Sequence, residues 1–255
     1  MPTVTLLSKV YADSQLKLVN KRLKSMFKNL SAEAKVLGIA QGGWVQISVD
    51  GEDEKAALRY LAEEFGFCPA SFEILERFSK TKAYITNLNH SRNTLSIDIG
   101  ISSSHSVNAV IPLKDLQAKL ADGRKIALSK IAELYGLNKN LPLTVKINKI
   151  DRENSYVEAF LSEDQCRLFK DWTSSMLDRL IILGASHREV ELAVSKTWCN
   201  RDVIAIEPLG MFEQIAVCKF GTDARGLVPK MGKILKNAAF TIFDSQKILN
   251  FLENV

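Results

Sequence analysis

Apolar residues recur along this chain in two periods, and the switches between them mark out elements. Thr3 to Leu7 alternates as a strand does, after which Leu16, Val19, Leu23, Met26, Phe27 and Leu30 recur at helical spacing. Val36 to Ala40 and Trp44 to Val49 read as a strand pair turned by Gln41-Gly42-Gly43, whose glycines supply turn conformations. Asp50 then offers an N-cap to a helix that opens with Glu52, Asp53 and Glu54, acids suited to the positive end of its dipole. Gly66 and Pro69 stop it. The pattern predicts a strand-helix-strand-strand-helix domain over residues 1–78, closed by a short helical run from Phe72 to Phe78.

Beyond that point the texture changes. Ala83 to Leu88, Thr94 to Ile99 and Val107 to Ile111 are short β-rich runs, separated by Asn89 to Asn93 and by the polar Ser102 to Ser106. Two helical stretches follow, Leu113 to Leu120 stopped by Asp122-Gly123, and Ile126 to Tyr135 stopped by Gly136. Strands resume with Leu143 to Ile150 and Tyr156 to Leu161, across the turn Asp151 to Asn154. Three strands, a helical insertion and two strands is the order of a five-stranded OB-type Greek-key barrel, here over residues 79–162. Leu128 to Asn138 would also open a helix-turn-helix. The next stretch, Lys139 to Val145, is broken by Pro142 and becomes β-branched, which leaves no second helix for a major groove.

Residues 163–255 begin with a helical pattern from Glu163 to Leu183, apolar at Leu168, Trp172, Met176, Leu177, Leu180 and Ile181, and stopped by Gly184. Ser186 and Glu189 form a capping box for a helix carrying Val190, Leu192, Ala193 and Val194. Val203 to Ile206 and Ile215 to Phe220 read as strands joined near Leu209-Gly210. The segment Gly221 to Lys233 is glycine-punctuated and basic. Pro229 removes a backbone donor and pushes Val228 from helical angles, so the expectation is a short helix, a glycine turn carrying lysines and a second short helix, Lys233 to Asn237, before the strand Ala239 to Phe243. The fold class is α+β in several domains.

At 255 residues, 46% hydrophobic and 25% charged, the composition suits two or three globular modules. No apolar run approaches about 18 residues and no basic-then-apolar signal opens the chain, so a cytoplasmic protein away from membranes is expected. Cys68, Cys166, Cys199 and Cys218 are scattered, as free thiols are, and His90, His105 and His187 fall in no ligand spacing. There is no phosphate-cradling Gly-x-x-x-x-Gly-Lys-Ser/Thr. Asp53, Glu54, Asp98 and Asp151 are acids of turns and helix starts, and no serine or cysteine has a nucleophile's setting. The residues therefore point to a binding protein that is no enzyme and needs neither cofactor nor metal.

The net charge of +5 is mild, so its placement matters more than its size. Lys17, Lys21, Lys24 and Lys28 fall on one helical face without an intervening acid, either as a solvated face or as a site for an anionic partner. Between residues 219 and 236, Lys219, Arg225, Lys230, Lys233 and Lys236 stand against the single acid Asp223. With Met231 and Gly232 they make the candidate contact loop for a phosphate backbone. On the barrel strands Tyr84 is the candidate base-stacking residue, with His90 and His105 near loops.

Leu95-Ser96-Ile97-Asp98-Ile99-Gly100, followed by Ala109 to Leu113, resembles the S1-type RNA-binding barrel. The order of elements from Ser186 onward is similar to a type II KH domain, whose Gly-x-x-Gly loop clamps a nucleic-acid backbone. The matching positions read Pro229-Lys230-Met231-Gly232, with proline at the first glycine. Barrel then KH-like unit resembles the arrangement in the transcription factor NusA and in archaeal exosome cap subunits. Over nearly its whole length the chain resembles an archaeal family designated only as a domain of unknown function, through Gly43-Trp44-Val45-Gln46, Gly51-Glu52-Asp53-Glu54 and the run from Gly221 to Gly232. These resemblances imply RNA as ligand, a role in transcription, RNA processing or translation, and RNA polymerase, ribosome or exosome-type machinery as partners. The alternative from another class is a protein-interaction adaptor with degenerate RNA-binding modules; DNA binding and an unrecognised enzyme stand behind it.

Overall fold

Alternation in the first seventy residues produces three strands, β1 (Thr3–Lys9), β2 (Ala32–Ala40) and β3 (Trp44–Gly51), with helices α1 (Leu16–Met26) and α2 (Glu54–Glu64). The structure, a computed structural model, describes residues 2–101 and 107–253. The strands pair antiparallel in the order β1-β3-β2, with β1 on one side of β3 and β2 on the other. Val19 and Leu23 of α1 and Ala57 and Leu61 of α2 are buried, as are Val45, Ile47 and Val49 of β3. Residues Phe72 to Phe78, expected as a helix, make separate turns instead. Leu75 donates to Phe72 and Ser79 to Glu76. Phe72 and Leu75 are buried, but Phe78 takes a left-handed φ of 66°, which a continuing right-handed helix does not allow. His105 and the polar run Ser102 to Ser106 lie outside the described residues.

The chain divides into two units, Met1–Leu75 with Ile99–Val107, and Glu76–Asp98 with Asn108–Val255. The second begins with the strands β4 (Lys80–Asn89), β5 (Thr94–Asp98) and β6 (Asn108–Pro112). The helices α3 (Leu113–Leu120) and α4 (Leu128–Tyr135) follow, and then β7 (Pro142–Asp151) and β8 (Tyr156–Leu161). The five strands close into a barrel in the order β4-β5-β6-β8-β7, with β7 returning to β4. Within it β6 and β8 run parallel and the other neighbours antiparallel. Inward-facing Ile85, Leu95, Ile97, Val145, Ile147, Val157 and Ala159 fill it.

The remainder is α5 (Glu163–Ser174), β9 (Arg179–Leu183), α6 (His187–Lys196), β10 (Val203–Pro208), β11 (Glu213–Cys218), α7 (Val228–Gly232), β12 (Ala239–Phe243) and α8 (Ser245–Glu253). Here the expected helix from Glu163 to Leu183 ends at Ser174, and Arg179-Leu-Ile-Ile-Leu183 is a strand. A four-residue apolar run, Leu180 to Leu183, fits either a buried helix or a buried strand, and every residue of β9 is buried, so a central place in a sheet decides it. The sheet order is β10-β11-β9-β12, all antiparallel. With α6 and α7 as its crossovers this is a split βαβ arrangement. The expected order of helix, two strands, short helix and strand forms as α6, β10, β11, α7 and β12, with β9 added to the sheet ahead of it and no second helix between α7 and β12.

Leu180 and Ile182 of β9 join Val190, Ala193, Leu227 and Met231 in a core under α6 and α7. The opposite face carries Phe243 into an aromatic cluster with Tyr135 of α4 and Phe169 and Trp172 of α5. Its ring centroids lie 5.1 Å apart for Trp172 and Phe243 and 5.4 Å for Tyr135 and Phe169. Gly136 ends α4 with φ 64°, and a Cβ there would lie 2.7 Å from Ile242 O, so only glycine lets this helix end meet β12. No helix of the described residues is long and apolar enough to cross a membrane.

Phe169 is 2% exposed and stacks on three other rings. Phe169→Ala is expected to cost about 3–5 kcal/mol in urea unfolding; a loss below about 1 kcal/mol would mean that the cluster does not join α5 to the sheet.

Candidate nucleic-acid interface

Local chemistry positions α6 first. Ser186 Oγ accepts from Glu189 N–H while the Glu189 carboxylate accepts from Ser186 N–H at 2.8 Å, the capping box expected of this pair. The helix buries Val190, Ala193 and Val194, which turns Leu192 and Lys196 outward. Lys196, Leu192, Ile234 and Lys236 line a groove of about 360 Å³ between α6 and residues 234–238.

The basic segment after β11 folds differently from the expected glycine loop. Pro229 sits in the first turn of α7, where a missing N–H costs nothing and the fixed φ favours a helix start. Leu227, Met231 and Leu235, spaced by four, turn into the core. Met231 is therefore 0% exposed and cannot contact a ligand. Gly232 is the last residue of α7, and a Cβ there would meet only Phe240 at 3.8 Å, an ordinary contact, so no close backbone approach depends on it. Lys233 to Asn237 form no helix.

Of the candidate cations, Arg225 and Lys230 are held by acids. Arg225 Nη2 donates to Asp244 Oδ2 at 3.1 Å with Asp223 Oδ2 3.9 Å from Nη1, and Lys230 Nζ lies 3.6 Å from Asp202 Oδ2. Lys219, Lys233 and Lys236 are exposed and have no ion pair among the described residues; neither has Lys196 nor Arg201. The acids of this region are already engaged, Glu189 in the capping box and Glu191 3.4 Å from His187. In the other unit Lys17, Lys21, Lys24 and Lys28 are all exposed on or just after α1, again without an ion pair among the described residues, whereas Arg22 binds Glu64 at 2.7 Å.

Tyr84 is 0% exposed, so it offers no stacking surface. The candidate base-stacking residue is buried because β4 lies against the C-terminal sheet, where the Tyr84 hydroxyl approaches Glu213 Oε2 at 3.5 Å. Lys82 of the same strand donates to Leu209 O at 3.0 Å. Burial lowers its ammonium below the usual lysine value, against the opposing pull of Glu213. A Cβ on Gly210 would overlap the Glu213 carboxylate, so a side chain there requires Glu213 to shift. His90 is exposed in the β4–β5 turn, and α4 is followed by a strand rather than by a second helix.

Of the exposed aromatics absent from the predicted site, Trp198, 74% exposed, and Phe220, 71% exposed, are the most open, ahead of Phe78 at 57% and Tyr60 at 42%. The first two each sit in a polar turn beside a cation, in Lys196-Thr197-Trp198 and Lys219-Phe220-Gly221, and that adjacency was the available signal. No barrel strand bears an exposed large apolar residue among the described residues.

Beneath this surface, burial is the largest of the effects that raise the Asp178 carboxyl above its usual value, and Asp244 and Asp223 add to it. The N–H groups of Ala224 and Ser245 oppose the shift. The neighbouring Cys218 thiol is pushed up to about 12, chiefly by burial, and is inert as a nucleophile. Among the described residues no three His, Cys, Asp or Glu side chains come together to hold a metal ion.

Three domain models of one family match the chain in order, the DUF2110 N-terminal domain over residues 3–71, its central domain over 79–173 and its C-terminal domain over 177–243. No curated protein matches the sequence. Among solved structures, a chain of the a/eIF2alpha–aDim2p–rRNA complex from Pyrococcus horikoshii OT3 is similar at 10% identity over 51% of this chain and 70% of that one. The TM-score is 0.26, too low to bear on fold or ligand.

A raised carboxyl binds a proton in the folded state that the unfolded chain has already released, so Asp178 makes stability fall as pH rises through the window just above 3.8. Asp178→Asn is expected to flatten that part of the curve, read from urea midpoints between about pH 4 and pH 6. A variant whose curve runs parallel to the wild type there would place the Asp178 carboxyl at its ordinary value.

Proposed function

The chain belongs to the DUF2110 family, and we propose that it is a non-catalytic RNA-binding protein acting in transcription, RNA processing or translation. The observation that carries this reading is the imbalance of charge around α6 and α7. Lys196, Arg201, Lys219, Lys233 and Lys236 are exposed without ion pairs among the described residues, while Glu189, Asp202, Asp223 and Asp244 are engaged. Such a surface suits a polyanion, whose phosphates supply affinity without sequence information. The strand order β4-β5-β6-β8-β7, with β6 and β8 parallel, supports an OB-type assignment for the barrel. Among the described residues its strands carry no exposed aromatic, so the barrel serves here chiefly as the support on which the C-terminal sheet is mounted. A polymerase, ribosome or exosome-type assembly would then be met through the RNA or through the N-terminal unit.

Affinity for a single-stranded RNA oligonucleotide is expected to fall with salt, with a logarithmic slope of about 0.7 for each phosphate that the protein neutralises. Lys219→Glu with Lys233→Glu and Lys236→Glu is expected to weaken binding at least about tenfold and to reduce that slope by about 2. Undetectable or salt-insensitive binding by the wild type would overturn the RNA reading in favour of a protein-interaction adaptor.

A further inference from the structure

The backbone of the C-terminal sheet brings two exposed aromatic residues to one corner and holds both in place. After α6 the chain passes Trp198 and a single 3-10 turn, Cys199–Arg201, whose Cys199 is fully buried. Asp202 then accepts at its carbonyl from Lys219 N–H at 2.7 Å, which ties the entry of β10 to the exit of β11. Phe220 is the next residue. Thr222 N–H donates to Lys219 O at 2.9 Å with Gly221 at φ 83°, a turn of type II geometry that carries Phe220 at its tip. Lys230 reaches the same corner through Asp202.

Trp198 itself occupies a left-handed backbone conformation, φ 57° and ψ 21°, one residue past the helix cap Thr197. Glycine or asparagine is the favoured residue at such a helix end, and a bulky aromatic is strained there. The ring does not repay the strain by packing, since it is three-quarters solvent-open. Phe78 shares this combination, with φ 66° and 57% exposure, and what sets Trp198 apart is the cationic surface beside it. Around the two rings, Lys196, Arg201 and Lys219 are exposed cations without ion pairs among the described residues, and the adjacent acid Asp202 is engaged by Lys230.

We propose that Trp198 and Phe220 are stacking platforms for unpaired bases, so that the ligand of this surface is single-stranded RNA rather than duplex. The inference rests on the RNA-binding reading and adds the class of RNA to it. Paired bases are stacked within their helix and present no free face, whereas a single strand offers one π-face per base to an aromatic ring beside a cationic track. Pinned turns hold the rings before the strand arrives, which lowers the ordering cost of binding.

The test exploits the three tryptophans of the chain. Trp44 and Trp172 are 2% and 4% exposed, so Trp198 is the tryptophan open to a ligand. Titration with an oligouridine single strand is expected to quench Trp198 emission, while a duplex RNA of equal length leaves it unchanged and binds more weakly. Trp198→Gly and Phe220→Ala are each expected to weaken single-strand binding by about 5- to 100-fold, the range that loss of one stacked base gives. Glycine suits the backbone at position 198, so Trp198→Gly should melt no lower than the wild type, and its loss of binding would not reflect unfolding. Salt-dependent RNA binding that survives both substitutions within about twofold, or equal affinity for duplex, would overturn the stacking proposal and leave the RNA reading standing. No binding of either RNA form would remove the RNA reading and the stacking proposal together. Emission that shifts with protein concentration alone would assign the corner to a second copy of this chain and overturn the proposal.

Discussion

Burial of β9 on both faces is the constraint from which the rest of the second unit follows. A strand of Arg179-Leu-Ile-Ile-Leu183 cannot leave either side to water, so it needs two covering layers. Helices α6 and α7 supply one and the aromatic cluster of α4, α5 and β12 supplies the other. The second layer is borrowed from the elements that flank the barrel, which is why barrel and C-terminal sheet fall in one compact unit. Arg179 opens the strand with Nη1 donating to the carbonyls of Trp172 and Leu177 and to Ser175 Oγ, while its buried Nε has no hydrogen-bond partner among the described residues, and the guanidinium lies 5.3 Å from the Trp172 ring.

That arrangement also decides which surfaces remain for a ligand. The barrel side of the sheet is occupied, and Tyr84, Lys82 and Glu213 are spent on the seam. What stays open is the side of α6 and α7 and the corner where β10 begins and β11 ends. There the acids cap helices or hold Arg225 and Lys230, and the remaining cations face solvent. A mild overall charge is thus compatible with several cations left without an acid on one surface.

Ser186 with Glu189, Tyr156 to Leu161 and Leu113 to Leu120 were legible in the sequence because capping, alternation and helical spacing involve residues a few positions apart. The exposure of Lys17, Lys21, Lys24 and Lys28 followed in the same way from a helix with one apolar stripe. Pro229 was read in the wrong sense. Whether a proline stops a helix or starts one depends on which side the helix continues, and Met231 and Leu235 settle this only through the core they enter.

The local order of charge and apolarity therefore determined the α+β class, most barrel strands and the positions of the cations, since each is a matter of spacing along the chain. Tertiary structure alone decided that Arg179 to Leu183 is a strand, that Tyr84 and Met231 are buried, and that the exposed Trp198 and Phe220 flank the Asp202–Lys219 pairing. These are facts about neighbours distant in sequence. Burial and juxtaposition arise from pairings such as Asp202 with Lys219 and Phe243 with Arg179, which no local period encodes.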